Sequence, residues 1–206
     1  MQKAKLVKSP WTARNRAAER EEKREAVLHA AAQAFAEAGY HKTSLDDIAA
    51  RLGITKPTLY YYARNKDDLI GAVASRALKR ILEAIEGDRE SAALTQLQHL
   101  LRRYAEVMAT DFGRCIVVVR DARIGGPAGE TLQDSIRQID GRIRQLLALG
   151  AEDGSIARGD VKLTAFMIAG AINSITRWFD EAGSLSAAMV AEKFVNQLTA
   201  GLAPRS

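Results

Sequence analysis

The chain has 206 residues, of which 47% are hydrophobic and 27% are charged, proportions typical of a globular protein with a substantial core. No apolar run approaches the roughly 18 residues of a membrane-spanning helix, and the N-terminal residues lack the apolar stretch of a secretory signal. The single cysteine, Cys115, excludes an internal disulfide and fits a reducing compartment. We therefore expect a cytoplasmic protein that does not associate with membranes.

The net charge of +5 is concentrated towards the N-terminus. Residues 1–70 contain 13 Lys and Arg against 9 Asp and Glu, and the first sixteen residues carry five basic side chains and no acidic one. Such a distribution favours binding to a polyanion, although a solvated tail without a partner is the alternative. We predict that residues 1–18 form a flexible basic arm.

The first predicted helix covers about residues 19–38, where apolar residues recur three and four positions apart, and Gly39 ends it. Two short helices separated by Gly53 follow, which is the pattern of a helix-turn-helix. Thr55 is placed to cap the second short helix, and Pro57 suits its first turn.

The second short helix carries more large side chains than it can bury. Leu59 is predicted to point inward, and the other side chains cannot all share its face. Those that can face outward are Lys56, Thr58, Tyr60, Tyr61 and Tyr62. Hydroxyl and ammonium groups suit phosphates and base edges in a DNA major groove, whereas the alternative is that the tyrosines only pack within the protein. We predict that residues 19–64 form a DNA-binding domain.

The remainder, residues 65–206, is also predicted to be helical, so the predicted fold class is all-α with about nine helices. Six helices are expected in this larger C-terminal domain, at about residues 66–86, 92–108, 112–123, 128–149, 161–182 and 187–202. Four polar residues are placed to cap helices here: Asn65, Ser91, Asp160 and Ser186.

The region of the helix-turn-helix resembles the TetR family of bacterial transcriptional regulators. After Gly53, residues 58–69 read TLYYYARNKDDL, which is similar to the family's T-L-Y run followed by a basic residue, a lysine and an acidic pair before leucine. The chain departs from the family at Ala63, where a larger apolar residue is usual. Further upstream, before the pair Thr43-Ser44, the chain also matches the family at four positions: Ala31, Phe35, Gly39 and Tyr40.

The resemblance implies a homodimer built on the last two helices, a ligand pocket in the C-terminal domain, and a repressor that leaves a palindromic operator when a small molecule binds. It also implies DNA contacts from Thr43 and Ser44 at the start of the second helix, and from Lys66 just after the recognition helix. A weaker resemblance over residues 170–186 is to a subgroup in which some members regulate lipid or acyl-CoA catabolism. An acyl-CoA or another lipophilic molecule is therefore the expected effector.

The last two predicted helices also have the composition of an interface. Small residues would allow helices to approach closely, and large apolar residues would anchor a second protomer, although an internal core is the alternative. The predicted interface residues are Gly170, Trp178, Phe179, Phe194 and Leu198.

Polar or adaptable side chains interrupt the apolar faces of the helices between residues 66 and 182. An arginine among them could pair with the phosphates of an acyl-CoA, and for each the alternative is an ordinary place in the core or on the surface. The predicted ligand contacts are Arg103, Tyr104, Met108, Phe112, Cys115, Arg120, Met167 and Asn173.

The sequence offers little support for catalysis. The three histidines are isolated and lack metal-ligand spacing, and residues 125–129 (GGPAG) lack the Lys-Ser/Thr of a phosphate-binding loop. Cys115 has no evident basic partner. We therefore expect a regulator with no enzymatic activity, metal or cofactor. A helical module that binds small molecules or proteins without operator binding is the main alternative, and a helical enzyme is a third.

Overall fold

Nine α-helices and one 3₁₀ turn form the secondary structure of the residues described by the computed structural model, which are 10–86, 91–121 and 124–204. No strand occurs in these ranges, so the predicted all-α fold is confirmed. No helix in the described part of the chain is long and apolar enough to cross a membrane. The elements are α1 (Pro10–Lys42), α2 (Leu45–Arg51), α3 (Lys56–Tyr60), α4 (Lys66–Leu82), the 3₁₀ turn (Glu83–Glu86), α5 (Ala93–Met108), α6 (Asp111–Asp121), α7 (Gly126–Asp153), α8 (Val161–Trp178) and α9 (Ala187–Ala200).

The first three helices, which we call the head, share a small apolar core. Phe35 of α1, Ile48 of α2 and Leu59 of α3 are each almost completely buried. Gly39 interrupts the regular path of α1 with a φ of 76°, a left-handed conformation that glycine adopts without steric cost. The predicted break at Gly39 is therefore confirmed, and it turns the chain towards α2.

The helix α1 begins at Pro10, well before the predicted start near residue 19. Residues 12–24 contain no glycine or proline and are mostly Ala, Arg, Glu and Lys, which have high helix propensity. Proline is compatible with the first position of a helix. Residues 10–18 are therefore helical rather than a flexible arm, and residues 1–9 of the predicted arm lie outside the described residues.

The body, which comprises α4 to α9, is built around two central helices. The helix α4 packs against α1, α6 and α7, and α5 packs against α7, α8 and α9. Because α4 touches α1 of the head as well as two helices of the body, it is a direct connection between the two parts.

Three of the four predicted caps of these helices are confirmed. Asn65 Oδ1 accepts a hydrogen bond from Asp68 N at 2.7 Å, and Asp160 and Ser186 make the equivalent cap at α8 and α9. Each cap side chain accepts from the backbone N–H three residues later, so the pattern that predicts the cap is local in the sequence.

The predicted cap at Ser91 is wrong. The helix α5 starts after Ala92, which offers no side-chain acceptor. Its first free N–H groups are instead satisfied from the end of α7, where Asp153 Oδ2 accepts from Ala93 N at 2.9 Å and Ser155 Oγ accepts from Leu94 N at 3.2 Å. A tertiary contact therefore replaces the local one.

The helix α8 ends at Trp178, four residues before its predicted end. Phe179 adopts an extended conformation, with ψ of 130°, and its ring enters the core. The carbonyl oxygen of Phe179 accepts a hydrogen bond from Arg114 Nη2 of α6 at 2.8 Å. Burial of the ring and this bond to its carbonyl account for the early end of the helix.

Candidate nucleic-acid interface and ligand cavity

The helix-turn-helix of α2 and α3 is fixed by two side-chain caps. Ser44 Oγ accepts from Asp47 N at 3.1 Å while Ser44 N donates to Asp47 Oδ2 at 2.9 Å, which is a reciprocal capping box. Thr55 caps α3 by accepting from Thr58 N. Gly53 has a φ of 63° in the turn between the two helices. These local interactions define where α2 and α3 begin and the turn between them.

The surface of α3 exposes aromatic side chains. Tyr61 is 85% exposed and Tyr60 is 46% exposed, whereas Leu59 is 1% exposed. Tyr62 is half-buried. Exposed aromatic area of this kind is unusual on a free surface and suits a partner that covers it.

Polar groups surround these tyrosines. Lys56 Nζ lies 2.7 Å from Asp46 Oδ2 on α2, and the hydroxyl oxygens of Thr55 and Thr58 are 2.9 Å apart. All four side chains are exposed, so the hydroxyls and the ammonium group remain accessible to a polyanion.

Thr43 does not belong to this exposed surface. Its side chain is buried, and its hydroxyl is close enough to donate to the carbonyl oxygens of Gly39 at 2.8 Å and Ala34 at 3.1 Å. Thr43 therefore fastens the corner between α1 and α2, and the prediction that its side chain contacts DNA is wrong. Ser44, by contrast, is exposed at the start of α2.

Lys66 is also turned into the protein. Its Nζ donates to the carbonyl oxygens of Tyr40 at 2.9 Å and Thr43 at 3.1 Å, and it lies 4.2 Å from the centroid of the Tyr40 ring. An ammonium group held in this way joins the start of α4 to the end of α1. The contact of Lys66 with DNA stays a prediction, since the side chain is half-buried.

Tyr40 and Asp67 complete this junction, and the sequence did not reveal their role. The Tyr40 hydroxyl donates to Asp67 Oδ1. This hydrogen bond, together with burial, raises the pKa of Tyr40 to about 12, so the hydroxyl remains a donor at neutral pH. The only available signals were a tyrosine directly after the helix-ending Gly39 and an aspartate in the first turn of α4.

The body contains two adjoining cavities that share three lining residues. The inner one has a volume of about 70 Å³ and the outer, more open one about 380 Å³. Shared by both are Ile116, Arg120 and Ile136. The inner cavity is further lined by Leu78, Tyr104, Val117, Ile139 and Asn173. Together they form a mainly apolar cleft with a few polar groups, the usual character of a small-molecule site.

Two polar residues face each other in the inner cavity. Tyr104 Oη donates to Asn173 Oδ1 at 2.8 Å, and burial raises the pKa of Tyr104 to about 12. Both were predicted as ligand contacts, and the structure brings them together with a third predicted residue, Arg120.

The other five predicted ligand contacts lie elsewhere. Met108, Phe112 and Cys115 are buried in the core, and burial raises the pKa of the Cys115 thiol to about 12. Arg103 is exposed and pairs with Glu106, and Met167 is 73% exposed on α8. The apolar lining residues were missed because an apolar helix face that borders a cavity has the same pattern as one that is fully packed.

One side of α8 is an exposed apolar face. Its residues recur at helical spacing, so they share one side of the helix. They are Leu163, Phe166, Met167, Gly170 and Trp178. Met189 of α9 is also exposed, and the Phe194 ring is 6.1 Å from the Trp178 ring.

The predicted interface residues differ in how far they are exposed. Phe179 is 6% exposed and packs inside its own protomer, so its predicted interface role is wrong. Leu198 is half-buried against the core, and Phe194 is half-buried beside Trp178. Gly170 and Trp178 are exposed, as an interface requires.

Comparison with known protein families covers most of the chain. Residues 27–73 match the family described as "Bacterial regulatory proteins, tetR family". Residues 90–202, more than half of the chain, match the family described as "Tetracyclin repressor-like, C-terminal domain". The "Fatty acid metabolism regulator protein" of Bacillus subtilis (strain 168) is 27% identical over 161 residues, which cover 74% of this chain and 81% of that relative.

Two solved structures illustrate the shared fold. The TetR family transcriptional regulator PfmR from Thermus thermophilus superimposes with a TM-score of 0.75 at 23% identity, covering 86% of this chain and 99% of PfmR. AibR in complex with isovaleryl coenzyme A and operator DNA gives a TM-score of 0.71 at 20% identity, covering 84% of this chain and 96% of AibR.

Proposed function

Because this chain belongs to the TetR family of bacterial regulatory proteins and is a DNA-binding transcriptional regulator, we propose that it acts in the cytoplasm as a ligand-responsive repressor. In this proposal a homodimer binds a palindromic operator through α3 of each head. An acyl-CoA or a similar lipophilic molecule then binds the cleft in the body and releases the dimer from DNA.

The observation that carries the proposal is the 85% exposure of Tyr61 directly after α3, whose first turn is capped by Thr55. Thr58 and Tyr60 of α3, with Tyr61 directly after it, form an exposed surface that suits insertion into a major groove. Their hydroxyls suit hydrogen bonds to phosphates, and aromatic edges suit thymine methyl groups.

The exposed apolar face of α8 supports the homodimer. Residues such as Phe166 and Met167 would be costly to leave in water over a contiguous surface, and a two-fold axis would bury the same face on both protomers. Gly170 lies on this face, where its lack of a side chain leaves room for a neighbouring helix. A two-fold dimer also explains why the operator would be palindromic.

The cleft supports a ligand with an apolar part and an anionic part. Its walls are mainly isoleucine, leucine and valine, and Arg120 lies where the inner and outer cavities meet. A short acyl group suits the inner cavity of about 70 Å³, and a phosphate-bearing group suits the arginine. The name of the Bacillus subtilis relative and the isovaleryl coenzyme A bound to AibR agree with this class of ligand.

The helix α4 provides a route from the cleft to the head. Leu78 of α4 lines the inner cavity, and Lys66 at the start of the same helix holds the carbonyl of Tyr40 in the head. A ligand that binds more tightly when α4 is displaced would therefore weaken the fit of α3 to DNA, as linkage requires.

A gel-shift experiment with DNA from upstream of the protein's own gene tests the proposal. We expect a retarded complex that acyl-CoAs of increasing chain length dissociate to different extents. If the complex persists with every acyl-CoA, acyl-CoAs are excluded as effectors. If the protein binds no duplex, a binding module that does not recognise an operator is favoured.

A further inference from the structure

The part of α1 that extends beyond the core of the head has an uneven distribution of charge. Residues 16–24 are all exposed and have no apolar side to bury. A helix that is polar all round needs ion pairs or a partner for stability. In this stretch, the structure shows one internal ion pair, between Glu19 and Lys23 at 2.7 Å.

Arg16, Arg20 and Arg24 lie at four-residue intervals on one side of this extension. Because residues three and four apart share a helix face, Val27 and Ala31 lie on the same side of α1 further along the helix. There, inside the head, both are buried. The face of α1 that is apolar inside the head thus becomes an arginine face where it projects past the head. Successive arginines are separated by about 6 Å along the helix axis.

The arginine face borders a groove whose opposite wall is the end of the recognition helix. The groove is open, with a volume of about 780 Å³. Tyr61 and Tyr62 form its far wall, and Arg16, Arg20 and Arg24 lie on the near wall. Glu19 and Glu21 also line it, and Glu19 is neutralised by its pair with Lys23.

The three arginines form no ion pair or hydrogen bond within the described residues. Of the nearby acidic groups, Glu19 pairs with Lys23 and Glu25 pairs with Arg76 of α4, whereas Glu21 stays on the groove wall beside the arginines. Three guanidinium groups on one exposed face, beside a tyrosine-lined groove, have the chemistry that binds a row of phosphates.

We propose that Arg16, Arg20 and Arg24 bind successive backbone phosphates of the DNA strand that passes through the groove beside Tyr61. The inference rests on the proposed function, since it requires α3 to lie in the major groove. The extension of α1 would then contribute to the affinity for DNA but not to the preference for particular bases, because phosphate contacts carry no direct sequence information.

The test measures DNA affinity between about 50 and 200 mM KCl, with a duplex enriched from a random-sequence pool by the wild-type protein. Each phosphate contact contributes about −0.9 to the slope of log affinity against log salt concentration. The variant R16Q/R20Q/R24Q should therefore bind with a slope shallower by up to about 3 for each bound protomer, with unchanged base preference. The variant R16K/R20K/R24K should keep most of the slope, because it keeps the charge.

A matched control removes the same charge elsewhere. R80Q/R137Q/R158Q replaces three arginines on the surface of the body and should leave the salt slope unchanged. Equal slopes for wild type and R16Q/R20Q/R24Q, or an altered base preference in that variant, would overturn the inference while leaving operator binding intact. If wild-type protein binds no duplex, the proposed function itself fails.

Discussion

The ammonium group of Lys66 lies 2.9 Å from the carbonyl oxygen of Tyr40, and this contact joins the first residue of α4 to the end of α1. A second contact joins the same two helices, because the Tyr40 hydroxyl donates a hydrogen bond to Asp67 of α4. The head and the body therefore meet at a small polar junction. A junction of this kind can transmit a displacement of α4 to the recognition helix without unfolding either part.

Replacement of Lys66 by methionine should weaken this junction. The change keeps the length of the side chain but leaves the carbonyls of Tyr40 and Thr43 without their donor, which should cost about 1–2 kcal/mol in the free energy of unfolding. Operator affinity should fall as well, because α3 loses its fixed position. Urea denaturation and a DNA titration measure the two effects. Lys79→Met, at an exposed position on the same helix, is the control, and an equal effect there would count against the junction.

The exposed face of α8 should control the oligomeric state. Met167→Asp places a charge in the middle of the proposed dimer interface and should give a particle near the protomer mass of 22.5 kDa, since desolvating a carboxylate opposes association. Leu149→Asp changes an exposed leucine on α7 and should leave the dimer intact. Light scattering at micromolar concentration distinguishes these outcomes. A wild-type protein that is itself monomeric would refute the proposed interface.

Arg120 and Arg103 provide a comparison within the body. Both were predicted from the sequence to contact ligand, but only Arg120 borders the cleft, while Arg103 is exposed and paired with Glu106. Arg120→Gln should weaken binding of an acyl-CoA at least about tenfold, the effect of losing a charge-assisted hydrogen bond. Arg103→Gln should have little effect. Calorimetric titration measures both, and a larger loss for Arg103→Gln would place the ligand outside the cleft.

Asp153 should make stability depend on pH at the acidic end. Hydrogen bonds from Ala93 N, and then from Ser155, lower the pKa of Asp153 in the folded protein. Its stabilisation is therefore fully present above the unfolded-state pKa of about 3.9 and is lost as the pH falls through the lower folded-state pKa. Asp153→Asn should reduce the melting temperature at neutral pH, and the difference from wild type should shrink in acid. A constant difference at every pH would contradict this assignment.

Signals that act within a few residues were readable from the sequence. Asn65, Asp160 and Ser186 each cap the helix that follows directly. Gly39 and Gly53 adopt positive φ angles at the turns between helices. The all-α fold, the helix-turn-helix and the outward-facing Tyr61 follow from such local patterns.

Interactions between distant segments could not be read in this way. The cap of α5 comes from Asp153, sixty positions away, and the end of α8 depends on Arg114 of α6. Thr43 and Lys66 were expected to contact DNA from the family resemblance. In the structure the Thr43 hydroxyl bonds to carbonyl oxygens of α1, and Lys66 reaches the carbonyl oxygens of Tyr40 and Thr43 from the start of α4. The cleft was only partly predicted for the same reason, because Met108 and Ile116 carry equivalent apolar signals although only Ile116 borders a cavity.

Selection from a random-sequence DNA pool, with wild-type protein and the Tyr61→Ala variant in parallel, tests whether α3 and Tyr61 read DNA. We expect wild-type protein to enrich one two-fold symmetric sequence, with half-sites about 10 base pairs apart or a multiple of that spacing. The alanine variant should remain a folded dimer yet lose at least about tenfold in affinity for that sequence, because a major-groove contact is removed. Enrichment of no sequence by wild-type protein, or equal affinity of the two proteins for the selected duplex, would contradict the assignment of α3 as the DNA-reading surface.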